Sequence, residues 1–165
     1  MLVLQGLAPI VSPNTRVLIL GSFPGVRSLQ LQQYYAHPQN QFWKLLQAIW
    51  PASPRETSLD SYEKRSKWLL EHGLGVWDVY ASCEREGSLD TAIRHAVPND
   101  IAALHLPQLA AIAHNGGESF KHARHTRTLG LPVYQLPSTS PANASWTFER
   151  KLAAWREVME RHGLV

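Results

Sequence analysis

The stretch Val17-Leu18-Ile19-Leu20-Gly21-Ser22-Phe23-Pro24-Gly25 decides the fold. Four consecutive apolar residues bounded by glycine and proline read as a strand buried on both faces, the pattern of a parallel sheet rather than of a half-solvated one. That strand runs into a Gly/Pro loop, and the loops at strand C-terminal ends are where an open α/β sheet places its ligand crevice. Just downstream comes Tyr34-Tyr35-Ala36-His37-Pro38-Gln39-Asn40-Gln41-Phe42-Trp43, dense in aromatics and carboxamides. Aromatic faces beside amide edges suit a flat ligand with a polar rim, such as a nucleobase.

Working outward, three further apolar runs at 75–79, 109–113 and 132–136 read as buried strands. Phe42, Leu45, Leu46 and Ile49 recur at i, i+3, i+4 and i+7 and predict an amphipathic helix opening near Asn40, stopped by Pro51 and Pro54. Leu59, Tyr62, Leu69 and Leu70 mark a second helix whose outer face carries Glu63, Lys64, Arg65 and Lys67, with Gly73 as its C-cap. The segment 82–90 reads as a charged loop. Asn99 or Asp100 caps a short helix through Leu106, residues 117–129 supply another helix, and Phe148, Leu152, Trp155 and Met159 share one stripe of a C-terminal helix. Strands alternating with helices give an α/β chain, expected as one domain: a three-layer α/β/α sandwich around a central, mostly parallel four-stranded sheet. The loops that leave Gly21, Asp78, Asn115 and Pro137 are then the site.

Composition bounds the rest. With 165 residues, 44% of them hydrophobic, the chain can bury one good core. Its net charge of +3 fits an anionic partner without requiring one. No apolar run reaches the ~20 residues of a membrane span and no leader pattern opens the chain, so a soluble, cytoplasmic protein is expected. The single cysteine, Cys83, rules out an internal disulfide framework and an all-cysteine metal site, and reads as a core thiol. Eight histidines show no zinc-ligand spacing. His122 and His125 lie instead among Lys121, Arg124 and Arg127, a basic face that either meets DNA phosphates or is simply solvated. Neither a metal nor an organic cofactor is expected, and a nucleotide-dependent transferase is disfavoured because no phosphate-binding glycine loop follows a strand.

Three motifs, Gly-Ser-Phe-Pro-Gly at 21–25, Tyr-Tyr-Ala-His-Pro-Gln-Asn-Gln-Phe-Trp at 34–43 and Leu-Pro-Ser-Thr-Ser-Pro-Ala-Asn at 136–143, resemble those of the uracil-DNA glycosylase superfamily. Within it the chain is most similar to the hypoxanthine-DNA glycosylase branch. The resemblance implies an enzyme that extrudes a deaminated base from DNA and hydrolyses its N-glycosidic bond. A monomer is expected. Gly21, Ser22 and Phe23 would border the base. Tyr35, in the position of the relatives' stacking aromatic, would be the platform, although a core tyrosine reads equally well from sequence.

Phe23 stands where mismatch-specific uracil glycosylases carry the asparagine that positions the attacking water, and a phenyl ring cannot orient a hydroxyl. The resemblance to the hypoxanthine branch moves that duty to Asn40, which can also serve as a helix cap. Leu136 replaces the histidine that supports the departing base in many relatives. Asp78 either reads the base edge or is a surface turn residue, and Asn115 is a further base contact. Ser138, Thr139 and Ser140 would grip phosphates, with Pro141 and Ala142 as part of a minor-groove wedge. Hypoxanthine is the expected base, uracil in mispairs the runner-up, and a DNA-binding module without catalysis the alternative class.

Overall fold

The computed structural model describes residues 2–51 and 61–165. Four parallel strands, β2 (Val17–Gly21), β3 (Leu74–Asp78), β6 (Ala111–Asn115) and β7 (Val133–Leu136), form one sheet in the order β3-β2-β6-β7. All three pairings are parallel, with Val17 opposite both Leu74 and Ala111. The centre of the sheet is therefore β2, all five of whose residues are buried. Its side chains alternate between two cores: Val17 and Ile19 face one, Leu18 and Leu20 the other.

The first core is closed by three helices, α2 (Phe42–Ile49), α3 (Tyr62–Glu71) and α6 (Phe148–Arg161). Phe42, Leu45, Leu46 and Ile49 form the buried stripe of α2, and Trp155 and Met159 that of α6. Ser61 and Thr147 cap α3 and α6 by accepting from the Lys64 and Arg150 amides. Leu59 and Pro54 lie outside the described residues.

The second face of the sheet has a different cover. The segment read as a loop at 82–90 begins inside β4 (Tyr80–Glu84), which pairs antiparallel with β1 (Val3–Gln5) and β5 (Arg94–Pro98) in a small sheet of order β1-β4-β5. Cys83 of β4 is fully buried there. With this sheet lie α1 (Val26–Leu31) and a run of short turns. The single helix expected at 117–129 is three pieces: α4 (Gly117–Phe120), α5 (Ala123–Thr126) and a 3-10 turn at Arg127–Leu129.

The cause is His114 of β6. Its buried ring sits between the hydroxyls of Ser119 (2.8 Å) and Thr126 (2.9 Å), and Ser119 also donates to the Leu20 carbonyl. In a continuous helix these two positions would share a face but stand about 10.5 Å apart, too far for one imidazole to bridge, so the helix breaks between them. The helix expected after Asn99 or Asp100 is likewise a 3-10 turn, Ile101–Leu104, with no side-chain cap bond; Asn99 spends its amide on the Asp78 carbonyl instead. The three-layer sandwich thus has one helical outer layer and one of short turns and a small sheet.

Candidate active site

The four parallel strands end on one side, and the segments that leave them surround a cleft of about 970 Å³. Gly21, Ser22, Phe23, Tyr35, Asn40, Asp78, Asn115 and residues 138–142 all line it. Every site residue named from the sequence is therefore brought to one cavity.

One wall is built at the ends of β2 and β3. A Cβ on Gly21 would lie 2.6 Å from Asp78 Oδ1 and 2.9 Å from Tyr35 Oη, so only glycine lets a carboxyl and a phenol close over the strand end. Asp78 is 5% exposed, and its Oδ2 is buried with no protein hydrogen-bond partner. Burial pushes this carboxyl up to about 7; the Asp90 charge adds to the rise and the Arg85 charge opposes it. Near neutral pH Asp78 can thus both donate and accept.

Beside it, the Phe23 ring is buried under the Arg85 guanidinium, 5.3 Å away. Arg85 donates to the carbonyls of Pro24 and Gly87, both at 2.7 Å. Ser22 Oγ donates to Asp90 at 2.6 Å, and the Val26 amide donates to Ser88 Oγ. These contacts bolt residues 85–90 to the Gly-Ser-Phe-Pro-Gly loop and hold Leu89, 60% exposed, on the rim.

The opposite wall is neutral and fully tied. Asn115 donates to Thr139 Oγ1 at 3.0 Å and to Tyr35 Oη at 3.2 Å, and its Oδ1 accepts from the Thr139 amide at 3.0 Å. Thr139 is 0% exposed. The Ser140 amide donates to Ser138 Oγ, the Ala142 amide to Ser140 Oγ, and Asn143 Nδ2 to the Ser138 carbonyl. From below, Trp155 Nε1 holds the Pro137 carbonyl and the Gln41 amide holds the Thr139 carbonyl.

Tyr35 and Asn40 join the walls. Tyr35 has φ 53°, a left-handed conformation that costs a non-glycine residue roughly 1–2 kcal/mol. Its ring stacks on Phe42 at 4.0 Å and 21°, so one face is taken and a base can approach only the other. Burial raises the phenol's pKa and keeps the hydroxyl protonated. Asn40 Oδ1 accepts from the Phe42 amide at 3.0 Å and closes the turn into α2, although the N-cap residue itself is Gln41. The cap bond occupies the oxygen and leaves the Nδ2 hydrogens for the cleft. His37 Nδ1 accepts from the Gln39 amide inside the same turn.

Sequence reading missed Arg85, Leu89, Asp90 and Trp146. Nothing local marks the first three, which stand in what reads as a solvated loop. Trp146 lines the cleft from beyond Ala142, and its neighbourhood in a Ser/Pro/Asn segment disguised it. Among the described residues, no group of three His, Cys, Asp or Glu side chains gathers as metal ligands would.

The model for the Uracil DNA glycosylase superfamily matches residues 8–159. The chain belongs to the uracil DNA glycosylase superfamily. Two curated superfamily relatives carry the name hypoxanthine DNA glycosylase. The Methanosarcina barkeri protein is 35% identical over 159 residues, covering 95% of this chain and 98% of the relative. The Methanosarcina acetivorans protein is 35% identical over 160 residues, covering 96% and 98%. A solution NMR structure from Methanosarcina acetivorans superposes with a TM-score of 0.84 at 33% identity, covering 97% of this chain and 98% of that one. The superfamily chemistry is monofunctional base excision, in which water rather than a lysine attacks the sugar. Among the described residues no lysine lines the cleft, and the buried Lys151 directs its Nζ to Gln41 Oε1 at 2.9 Å.

Proposed function

We propose that this protein excises hypoxanthine from DNA. The observation that carries the reading is end-to-end similarity, at 35% identity, to two proteins named hypoxanthine DNA glycosylase. The cleft is compatible with it: phenylalanine at position 23 cannot orient water, and Asn40 lines the same cavity.

In this reading the flipped base stacks on the free face of Tyr35, with Asp78 and Asn115 at its edge. As the glycosidic bond breaks, its electron pair leaves with the base and positive charge gathers on the sugar. Asn40 positions the attacking water through its amide; the water oxygen bonds to the sugar carbon and sheds a proton to solvent, while the departing base takes its proton from protonated Asp78. Flanking phosphates and the carboxylate form of Asp78 stabilise the cationic sugar, and the protonated form of Asp78 can donate to the departing base. Residues 138–142 hold the backbone through amides and hydroxyls, contacts that position DNA without reading its sequence.

The test incubates the protein with duplexes that contain deoxyinosine or deoxyuridine and then heats them in alkali. Strand cleavage at deoxyinosine is the expected result, and Asn40→Ala should lower its single-turnover rate by at least about a hundredfold while DNA affinity stays within a few fold. Cleavage of the deoxyuridine duplex alone would move the substrate to uracil. Binding with no alkali-labile site on either duplex would make the protein a non-catalytic reader of unusual bases.

A further inference from the structure

The cleft holds too little positive charge to engage a polyanion. Its described lining carries two carboxyls, Asp78 and Asp90, against one arginine, Arg27, and the segment 138–142 has no ionisable side chain. Amides and hydroxyls position a phosphate, but the affinity for a polyanion comes largely from cations, and most of these must stand on a rim.

Two basic surfaces border the site. On α4 and α5, Lys121 pairs with Glu118 at 2.9 Å, Arg124 Nε bonds to His125, and Arg127 lies over Phe120. On α6 the picture differs. Arg150 Cζ lies over the Trp146 indole, 4.2 Å from its centroid, and Trp146 itself lines the cleft directly beyond the grip segment. Arg150 is exposed and, among the described residues, has no carboxylate within ion-pair distance. Lys44, also exposed, extends the same rim over Phe148 at 5.0 Å.

From these contacts we infer that Trp146 and Arg150 form a docking point for the DNA backbone beside the flipped nucleotide, with the guanidinium on a phosphate and the indole against the adjoining sugar. The inference rests on the proposed action on DNA. Contact with the indole restrains the guanidinium before binding, so less side-chain freedom is lost when its N–H groups meet phosphate oxygens. Trp146 places that charge at the mouth, next to the amides and hydroxyls of residues 138–142. Lys121, already neutralised, would have to abandon Glu118 to do the same.

The experiment measures binding of a duplex with 2′-fluoro-deoxyinosine, which the enzyme cannot cleave, by fluorescence anisotropy across a salt series. Arg150→Gln should reduce the slope of log affinity against log salt by about one phosphate contact and weaken binding by about tenfold. Trp146→Ala should move in the same direction with Arg150 intact, and Trp146→Phe should recover part of the loss. Thermal melting of each variant verifies folding. Arg124→Gln, on the opposite basic face, should keep the wild-type slope. An unchanged slope in Arg150→Gln, or an equal fall in Arg124→Gln, overturns the inference while leaving the proposed function standing. Salt-insensitive binding by the wild type would remove the DNA reading itself.

Discussion

The two walls of the cleft are built on opposite principles. At the ends of β2 and β3, Asp78 is a buried carboxyl with an orphaned oxygen, and Arg85 is a buried guanidinium whose Nη1 is also unpartnered. Across the cleft, Asn115 has both ends of its amide tied, and residues 137–143 form a lattice of short hydrogen bonds around it. The first wall keeps charge under poor solvation, which perturbs acidity and costs stability. The second has no such tension and supplies shape. Perturbed ionisation of this kind clusters at functional sites, whereas fully satisfied networks specify geometry.

Substitutions on the two walls should therefore part company. The largest effect belongs to Asn115→Ala. It leaves the buried Thr139 amide and hydroxyl without partners and should cost about 2–4 kcal/mol in urea unfolding. Residues 138–142 then lose their place, and excision should fall by roughly a hundredfold or more. Retained stability would mean that the lattice closes without Asn115.

Asp78→Asn should do the reverse to stability. Its carboxyl sits at about 7 in the fold against an ordinary value of 3.8. The native state thus binds the proton more tightly, and stability declines as pH rises from about 4 through 7, with the full cost present above 7. The variant should melt higher than wild type, by more at pH 8 than at pH 5, with a gain bounded by roughly 2–4 kcal/mol. It should at the same time excise more slowly and lose any activity transition near pH 7. A variant that melts no higher at pH 8 would show that the buried charge carries no penalty.

Gly21→Ala drives a methyl group into both Asp78 and Tyr35 and should cost roughly 1–3 kcal/mol in stability. Its excision defect should exceed that of Gly117→Ala, also on the cleft lining, where the nearest atom is 3.9 Å from the new Cβ. Smallest is Ser140→Ala, which removes one hydrogen bond to the Ala142 amide. It should lower stability by about 0.5–1.5 kcal/mol, with only a slight loss of DNA affinity. A larger affinity loss would give Ser140 a direct phosphate contact.

The two sheets differ in how plainly they are written in the sequence, and for a physical reason. A parallel strand buried on both faces must be apolar throughout, so β2 announces itself as Val-Leu-Ile-Leu, and the expected ends of β3, β6 and β7 miss by only one or two residues. In contrast, β5 is Arg-His-Ala-Val-Pro, largely exposed, and finds its partners only after the chain has folded back. No local pattern encodes that return. The break between α4 and α5 is hidden similarly, because it depends on His114 reaching Ser119 and Thr126 from the sheet.

Cleft-lining residues on strand ends and in motifs, such as Asp78, Tyr35 and Asn115, are legible because position and chemistry coincide there. Arg85, Leu89 and Trp146 are not. Their importance lies in what faces them across space.

Tyr35, held at φ 53° with its ring on Phe42, has an evolutionary corollary. Glycine or asparagine would sit more easily in that backbone. A library of this protein sorted only for survival at high temperature should nevertheless keep Tyr35, because the packing of its ring on Phe42 outweighs the backbone strain, and should drift toward asparagine at 78. Thermostability gained at such a position would be a record of where the molecule keeps its working parts.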